Sequence, residues 1–181
     1  MSAGRLIAVV GPSGVGKDSV IAGIMAARPD LRLVRRVITR APELGGEEYV
    51  PATVAEFEAM AARGAFCIRW GAHGLYYGIP AWTVTAVQEG AECLANFSRG
   101  ALDEAARIFP RLKVLHITAT PETLARRLAN RGRESEAEIA ARLTRSTDPL
   151  PEGLDVTEIP NDGTLDAAVA LALAALQPVR A

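Results

Sequence analysis

The chain has 181 residues, 49% of them hydrophobic, with 20 Lys+Arg against 21 Asp+Glu and a formal net charge of -1. This length and apolar content predict a single domain with one substantial core, and the balanced charge supplies no positive field to hold a polyanion, which argues against nucleic acid as a partner. Cys67 and Cys93 are too few for a disulfide framework and lie in apolar stretches, so they read as reduced thiols of a cytoplasmic protein.

Arg5 precedes a short aliphatic run at 6–10, too short for a signal-peptide core and bounded by Gly11. It reads as a buried parallel strand, and 18–27 then carries apolar residues at helical spacing. A second β-rich run at 31–39 is followed by a loop at 41–48 rich in Pro, Gly and Glu. The stretch from 40 to 90 is too long for a plain connection and predicts a subdomain that receives the acceptor. Strand signals at 93–96, 114–118 and 156–159 then alternate with helical patterns at 101–108, 121–130, 135–145 and 165–176. The last of these is the most apolar, but it contains Asp166 and falls short of the ~20 residues of a membrane span, so it reads as a buried terminal helix. Alternation of this kind predicts an α/β fold, a parallel sheet with helices on both faces.

The segment Gly11-Pro12-Ser13-Gly14-Val15-Gly16-Lys17 fits G-x-x-x-x-G-K and lies between a strand and a helix, the context a P-loop requires. Backbone N–H groups of such a loop cradle phosphate oxygens, the helix start adds its positive dipole end, and Lys17 supplies a cation. A nucleoside triphosphate, ATP, is the expected ligand. Asp18 stands where Ser or Thr ordinarily presents a hydroxyl to Mg²⁺, with Ser19 one place further on. An anionic side chain beside a triphosphate is repulsive unless a metal lies between them, which makes Asp18 a candidate Mg²⁺ ligand, direct or through water. The other reading is a first-turn acidic residue favoured by the helix dipole.

Thr39-Arg40-Ala41-Pro42, Gly45-Gly46-Glu47, Glu56-Phe57, Gly64-Ala65-Phe66 and Tyr77-Gly78 follow in order, and on these motifs nearly the whole chain resembles the guanylate kinases. The resemblance places Arg40 on the acceptor phosphate, a role that suits a guanidinium fork. The departures carry more. Ile68 replaces the carboxylate with which guanylate kinases read guanine, Ile79 and Pro80 replace hydroxyl-bearing residues after Tyr-Gly, and Glu43 replaces a second phosphate-binding arginine.

In their place stand the run from Trp70 through His73 and Tyr77 to Pro80, and Asn96-Phe97-Ser98-Arg99 at the end of the next strand. Together with Gly16-Lys17-Asp18, Ile38-Thr39-Arg40 and Arg131-Gly132-Arg133-Glu134, this set resembles the ribose 1,5-bisphosphate phosphokinases, a branch of the same fold. The resemblance implies ATP-dependent phosphorylation of ribose 1,5-bisphosphate to 5-phospho-α-D-ribose 1-diphosphate, within phosphonate breakdown. It assigns Arg40, His73, Tyr77, Asn96, Ser98 and Arg99 to the acceptor. His73 could instead bond its own glycine-rich turn, and Trp70 and Tyr76 could simply pack the small subdomain.

Arginines crowd the region around Gly132, and a lid at about 131–146 is expected to bring Arg131, Arg133 and Arg142 over the transferring phosphoryl group. Pairs such as Glu138 with Arg142 would equally suit a solvated helix. Asn161-Asp162-Gly163 is a turn that the resemblance places near the adenine, with Asn161 in the ATP site. Other functions stay open on the sequence: a guanylate kinase or another nucleotide or sugar-phosphate kinase of the same fold, a non-catalytic interaction domain of that fold, and a nucleotide sensor. A monomer and a homodimer are equally compatible with it.

Overall fold

The computed structural model describes residues 4–12, 14–42, 47–131, 135, 137 and 149–177. In chain order, strand β1 (Arg5–Val10) feeds helix α1 (Lys17–Ala27) and the short strand β2 (Arg32–Leu33). Strands β3 (Val37–Ile38) and β4 (Val50–Pro51), helix α2 (Val54–Ala62) and the hairpin of β5 (Phe66–Ala72) with β6 (Leu75–Pro80) come next. Helix α3 (Trp82–Gln88) leads to β7 (Glu92–Asn96), a 3-10 turn (Arg99–Ala101), α4 (Leu102–Ile108) and β8 (Leu112–Thr118). Helix α5 (Pro121–Arg131), strand β9 (Asp155–Pro160) and helix α6 (Leu165–Leu176) follow.

The main sheet is wholly parallel in the order β2-β7-β1-β8-β9. β1 is aliphatic from Leu6 to Val10 because both its faces are covered, as parallel sheets require. Leu6, Ala8 and Val10 join the core cluster reached by α3 and α4, while Ile7 and Val9 join the cluster reached by α1, α5 and α6. The α/β reading of the sequence is therefore correct, with helices on both faces. Helix α6 is less buried than its composition predicts: Ala168, Ala172 and Leu176 face inward, but Leu165 and Leu171 are exposed. It packs against the sheet and α1 along one side only, through small residues. No helix among the described residues is long and apolar enough to cross a membrane.

The run at 31–39 is not one strand. Arg32–Leu33 pairs with β7 in the main sheet, whereas Val37–Ile38 pairs with β6 in a second sheet of order β4-β3-β6-β5. The chain crosses between the sheets at Arg35 and Arg36, whose ion pairs with Glu48 and Glu47 fasten the returning strand. On the second sheet, α2 starts with a reciprocal cap between Thr53 and Glu56 and buries Phe57 against Phe66, ring centroids 4.7 Å apart. Tyr76 stacks on the same Phe57 at 5.8 Å, so its role is packing.

Candidate active site

The phosphate loop leaves the carboxyl end of β1, where ligands of open parallel sheets gather. Gly16 caps α1 in the left-handed conformation, φ 93°, and a Cβ there would lie 2.8 Å from the Asn161 amide nitrogen. Gly11 has a different reason to be glycine, since a Cβ would come within 2.6 Å of the Ile117 carbonyl. From below, the Asn161 amide donates to the Val15 carbonyl at 2.8 Å, and Arg127 donates to Val15 O at 3.2 Å and to Asn161 O at 2.7 Å. Asn161 is buried, and its side chain holds the loop. Asn161→Ala removes a buried donor and should cost about 1–3 kcal/mol of stability. Thermal unfolding checks that, with the KM for ATP rising and the KM for the acceptor unchanged.

Lys17 opens α1 and donates from Nζ to the Gly11 carbonyl at 2.8 Å. Burial, then the Arg36 guanidinium, pull its pKa down to about 8, with Arg99 adding to the depression and Asp18 and Glu47 opposing it. These five charged groups therefore share one electrostatic neighbourhood. Incoming phosphates reverse the effect and hold the ammonium charged.

Asp18 lines a cavity of about 260 Å³ between α1, the β2 and β7 ends of the main sheet and the segment that leads into β4, together with Glu47, Glu48 and Asn96. Ser19, next along the helix, is exposed. Among the described residues no three His, Cys, Asp or Glu side chains cluster to hold a metal. The oxygen donors present suit a hard cation completed by phosphate oxygens, with the Asp18 carboxylate directly following the loop. Asn96 ends β7, is buried, and its Oδ1 has no hydrogen-bond partner among the described residues.

Beyond β7, Ser98 Oγ accepts from Trp70 Nε1 at 2.9 Å, and Arg99 opens the 3-10 turn. Trp70 stacks nearly parallel on Tyr77, centroids 5.5 Å apart, and on Phe97 at 5.6 Å. Trp70 is thus a bridge between the two sheets as well as a packing residue. Arg36 lies over this platform, 4.7 Å from the Tyr77 ring and 5.9 Å from that of Trp70, with its fork on Glu47 at 2.6 and 2.5 Å. Arg40 follows β3 and lies over Tyr49, 4.4 Å from the ring centroid.

The fold brings Lys17, Asp18, Asn96, Ser98 and Arg99 to one end of the main sheet, with Tyr77 facing them from the small one. His73 is elsewhere. It forms the exposed tip of the β5–β6 hairpin with φ 54°, followed by Gly74 at φ 74°, the backbone of a tight two-residue hairpin turn. Three strand positions, roughly 10 Å, separate it from the Trp70–Tyr77 pair. Ser13, Glu43, Arg133 and Arg142 lie outside the described residues, as does the side chain of Arg131. Sequence reasoning passed over Arg36 and the partnership of Glu47. The signal was there: two arginines interrupting an apolar β run, and two glutamates where the chain returns.

Strand, phosphate loop and helix, beside a small second sheet whose strand β3 is flanked by Arg36 and Arg40, define a P-loop phosphotransferase. The guanylate kinase family model matches residues 3–171, and the chain belongs to that family. It is 52% identical over 180 residues to the ribose 1,5-bisphosphate phosphokinase PhnN of Ruegeria sp. strain TM1040, covering 98% of this chain and 94% of the relative. The protein of the same name from Agrobacterium fabrum is 43% identical over 166 residues, covering 90% and 91%. Within the family the chain therefore belongs to the branch of the ribose 1,5-bisphosphate phosphokinases. Guanylate kinase from Anaplasma phagocytophilum shares the fold, with a TM-score of 0.71 at 19% identity over 97% of this chain and 88% of that one.

Proposed function

We propose that this protein transfers the terminal phosphoryl group of ATP to the 1-phosphate of ribose 1,5-bisphosphate, giving 5-phospho-α-D-ribose 1-diphosphate and ADP. The observation that carries the reading is the fate of the base-reading positions: Ile68 and Ile79 are 1% and 0% exposed, sealed into the apolar core. No base edge finds a polar partner there. The names of the near full-length relatives support the same acceptor.

In the reaction, an oxygen of the acceptor's 1-phosphate attacks the γ-phosphorus in line, and the bond to the bridging oxygen of ADP breaks. That nucleophile is anionic at neutral pH, so alignment and charge neutralisation do the work of a general base. The backbone of Gly11, Pro12, Ser13, Gly14, Val15 and Gly16 cradles the phosphates, and Lys17 carries charge on the γ-phosphoryl. Arg40, Tyr77, Asn96, Ser98 and Arg99 receive the acceptor. His73, at the tip of the β5–β6 hairpin, is proposed with them. Arg131, Arg133 and Arg142 close from the lid.

Mg²⁺ fits at Asp18, where it would neutralise the β- and γ-phosphates. Asp18→Asn is expected to raise the Mg²⁺ concentration for half-maximal rate several-fold, and an unchanged dependence would remove Asp18 from the metal. The same reading makes the protein a cytoplasmic enzyme of phosphonate breakdown, a monomer or homodimer acting on small molecules without nucleic acid or membrane. A coupled ADP-release assay tests the function. Release that depends on ribose 1,5-bisphosphate supports it, and release that ignores this acceptor overturns it.

A further inference from the structure

We propose that Arg36 binds a phosphate of the acceptor, and that Glu47 holds its guanidinium in the empty enzyme and yields it when the acceptor enters. The inference rests on the reading of the acceptor as a bisphosphorylated sugar. Its basis is the buried pair itself: Arg36 is 6% exposed and bonded through both fork nitrogens to Glu47, whose side chain is also largely buried.

A buried ion pair stabilises a fold little more than apolar residues of the same volume, because desolvating two charges offsets their attraction. Stability alone therefore gives this small sheet no reason to carry one. Its position does. The guanidinium lies on the Tyr77–Trp70 platform, and Trp70 is tied to Ser98 at the nucleotide end of β7. After burial, Arg36 is the group that most strongly depresses the Lys17 ammonium, so its charge lies within electrostatic reach of the phosphate loop.

Arg36 and Arg40 flank the two-residue strand β3, one just before it and one in the bend after it. Two cations beside one short strand suit an acceptor with two phosphates. Guanidinium forks match phosphate oxygens as well as they match a carboxylate. Glu47, meanwhile, lines the cavity beside Asp18 and Asn96, so a dianion entering there meets its negative charge unless the carboxylate gives way. Exchange of one anion for another on the same fork removes that conflict.

Steady-state kinetics with both substrates varied tests this. Arg36→Met should raise the KM for ribose 1,5-bisphosphate roughly 100-fold, with the KM for ATP unchanged. Arg36→Lys, which keeps the charge and loses the fork, should fall between. Glu47→Gln should lower the acceptor KM, because it removes the competing anion. The double variant R36M/E47L replaces the whole pair with apolar groups and guards against misfolding. Folded by circular dichroism, it should still show an acceptor KM raised at least about tenfold over the wild type, though below that of R36M, which keeps the Glu47 charge. An acceptor KM like that of the wild type in the double variant, or a raised one in Glu47→Gln, overturns the proposal. Calorimetric titration with inorganic phosphate, with a non-hydrolysable ATP analogue filling the phosphate loop, reads the site without the sugar. Wild type should bind and R36M/E47L should bind at least tenfold more weakly, whereas equal affinity overturns the assignment. Wild type that fails to turn over ribose 1,5-bisphosphate counts against the function, and the phosphate titration still decides the role of Arg36.

Discussion

Replacing Lys17 with alanine lowers kcat/KM at least about 10³-fold, the scale on which loss of one preorganised charge contact to a transferring group is felt. The ammonium sits at the start of α1, half-buried, against the Gly11 carbonyl. No other lysine side chain lies at the loop, because Lys113, the remaining lysine, is engaged with Asp155 and Thr157 across the sheet. The fold should not suffer. Burial lowers the Lys17 pKa to about 8, so its charged form costs stability at neutral pH and the alanine variant should melt no lower than wild type. The sign follows from linkage: between about 8 and the ordinary value of 10.5 the unfolded chain binds the proton that the folded one has released, so this group's contribution to stability rises with pH across that window. A kinetic loss with an unchanged or raised Tm separates a chemical role from a structural one.

GMP is expected to be phosphorylated with a kcat/KM at least about 10⁴-fold below that of ribose 1,5-bisphosphate, since a site lacking the buried partners of a base edge leaves its donors and acceptors unpaired. Ile68 and Ile79 face each other across the β5–β6 ladder and pack in the core with Val34, Ala95 and Phe97. For the same reason Ile68→Glu should not convert the enzyme into a guanylate kinase: the carboxylate would be buried among apolar side chains, and the variant should lose stability instead. Competition between the two acceptors in one assay measures the ratio. A ratio near unity would show that guanine is read by residues other than these.

The parts of the site visible in the sequence are those whose geometry is local. A strand, four loop residues between glycines and a helix start specify the phosphate loop by spacing alone, and Asp18 is fixed by being next to Lys17. The parallel sheet was legible because β1, β7 and β8 each carry a short aliphatic stretch, at 6–10, 93–95 and 114–115, between helical patterns. What stayed hidden depends on pairing between distant segments. Arg32–Leu33 and Val37–Ile38 look like one strand until their partners, β7 and β6, are known to lie in different sheets. Arg36 and Glu47 meet only because β4 returns beside β3. Asn161 lies 146 positions from the Val15 carbonyl it binds, so its turn signal could not disclose that contact. His73 read as a binding group because it sits between glycines in a recognisable motif, yet the same glycine context makes the tight turn that puts it at an exposed tip.

Phosphorus NMR of the reaction mixture tests the central claim most directly, with Mg-ATP, ribose 1,5-bisphosphate and GMP together and the Lys17→Ala variant as control. The account predicts a new pair of coupled diphosphate resonances on the sugar beside an unaltered 5-phosphate monoester, ADP in equal amount, and GMP unchanged. Conversion of GMP to GDP while the sugar's two monoester signals persist would contradict it.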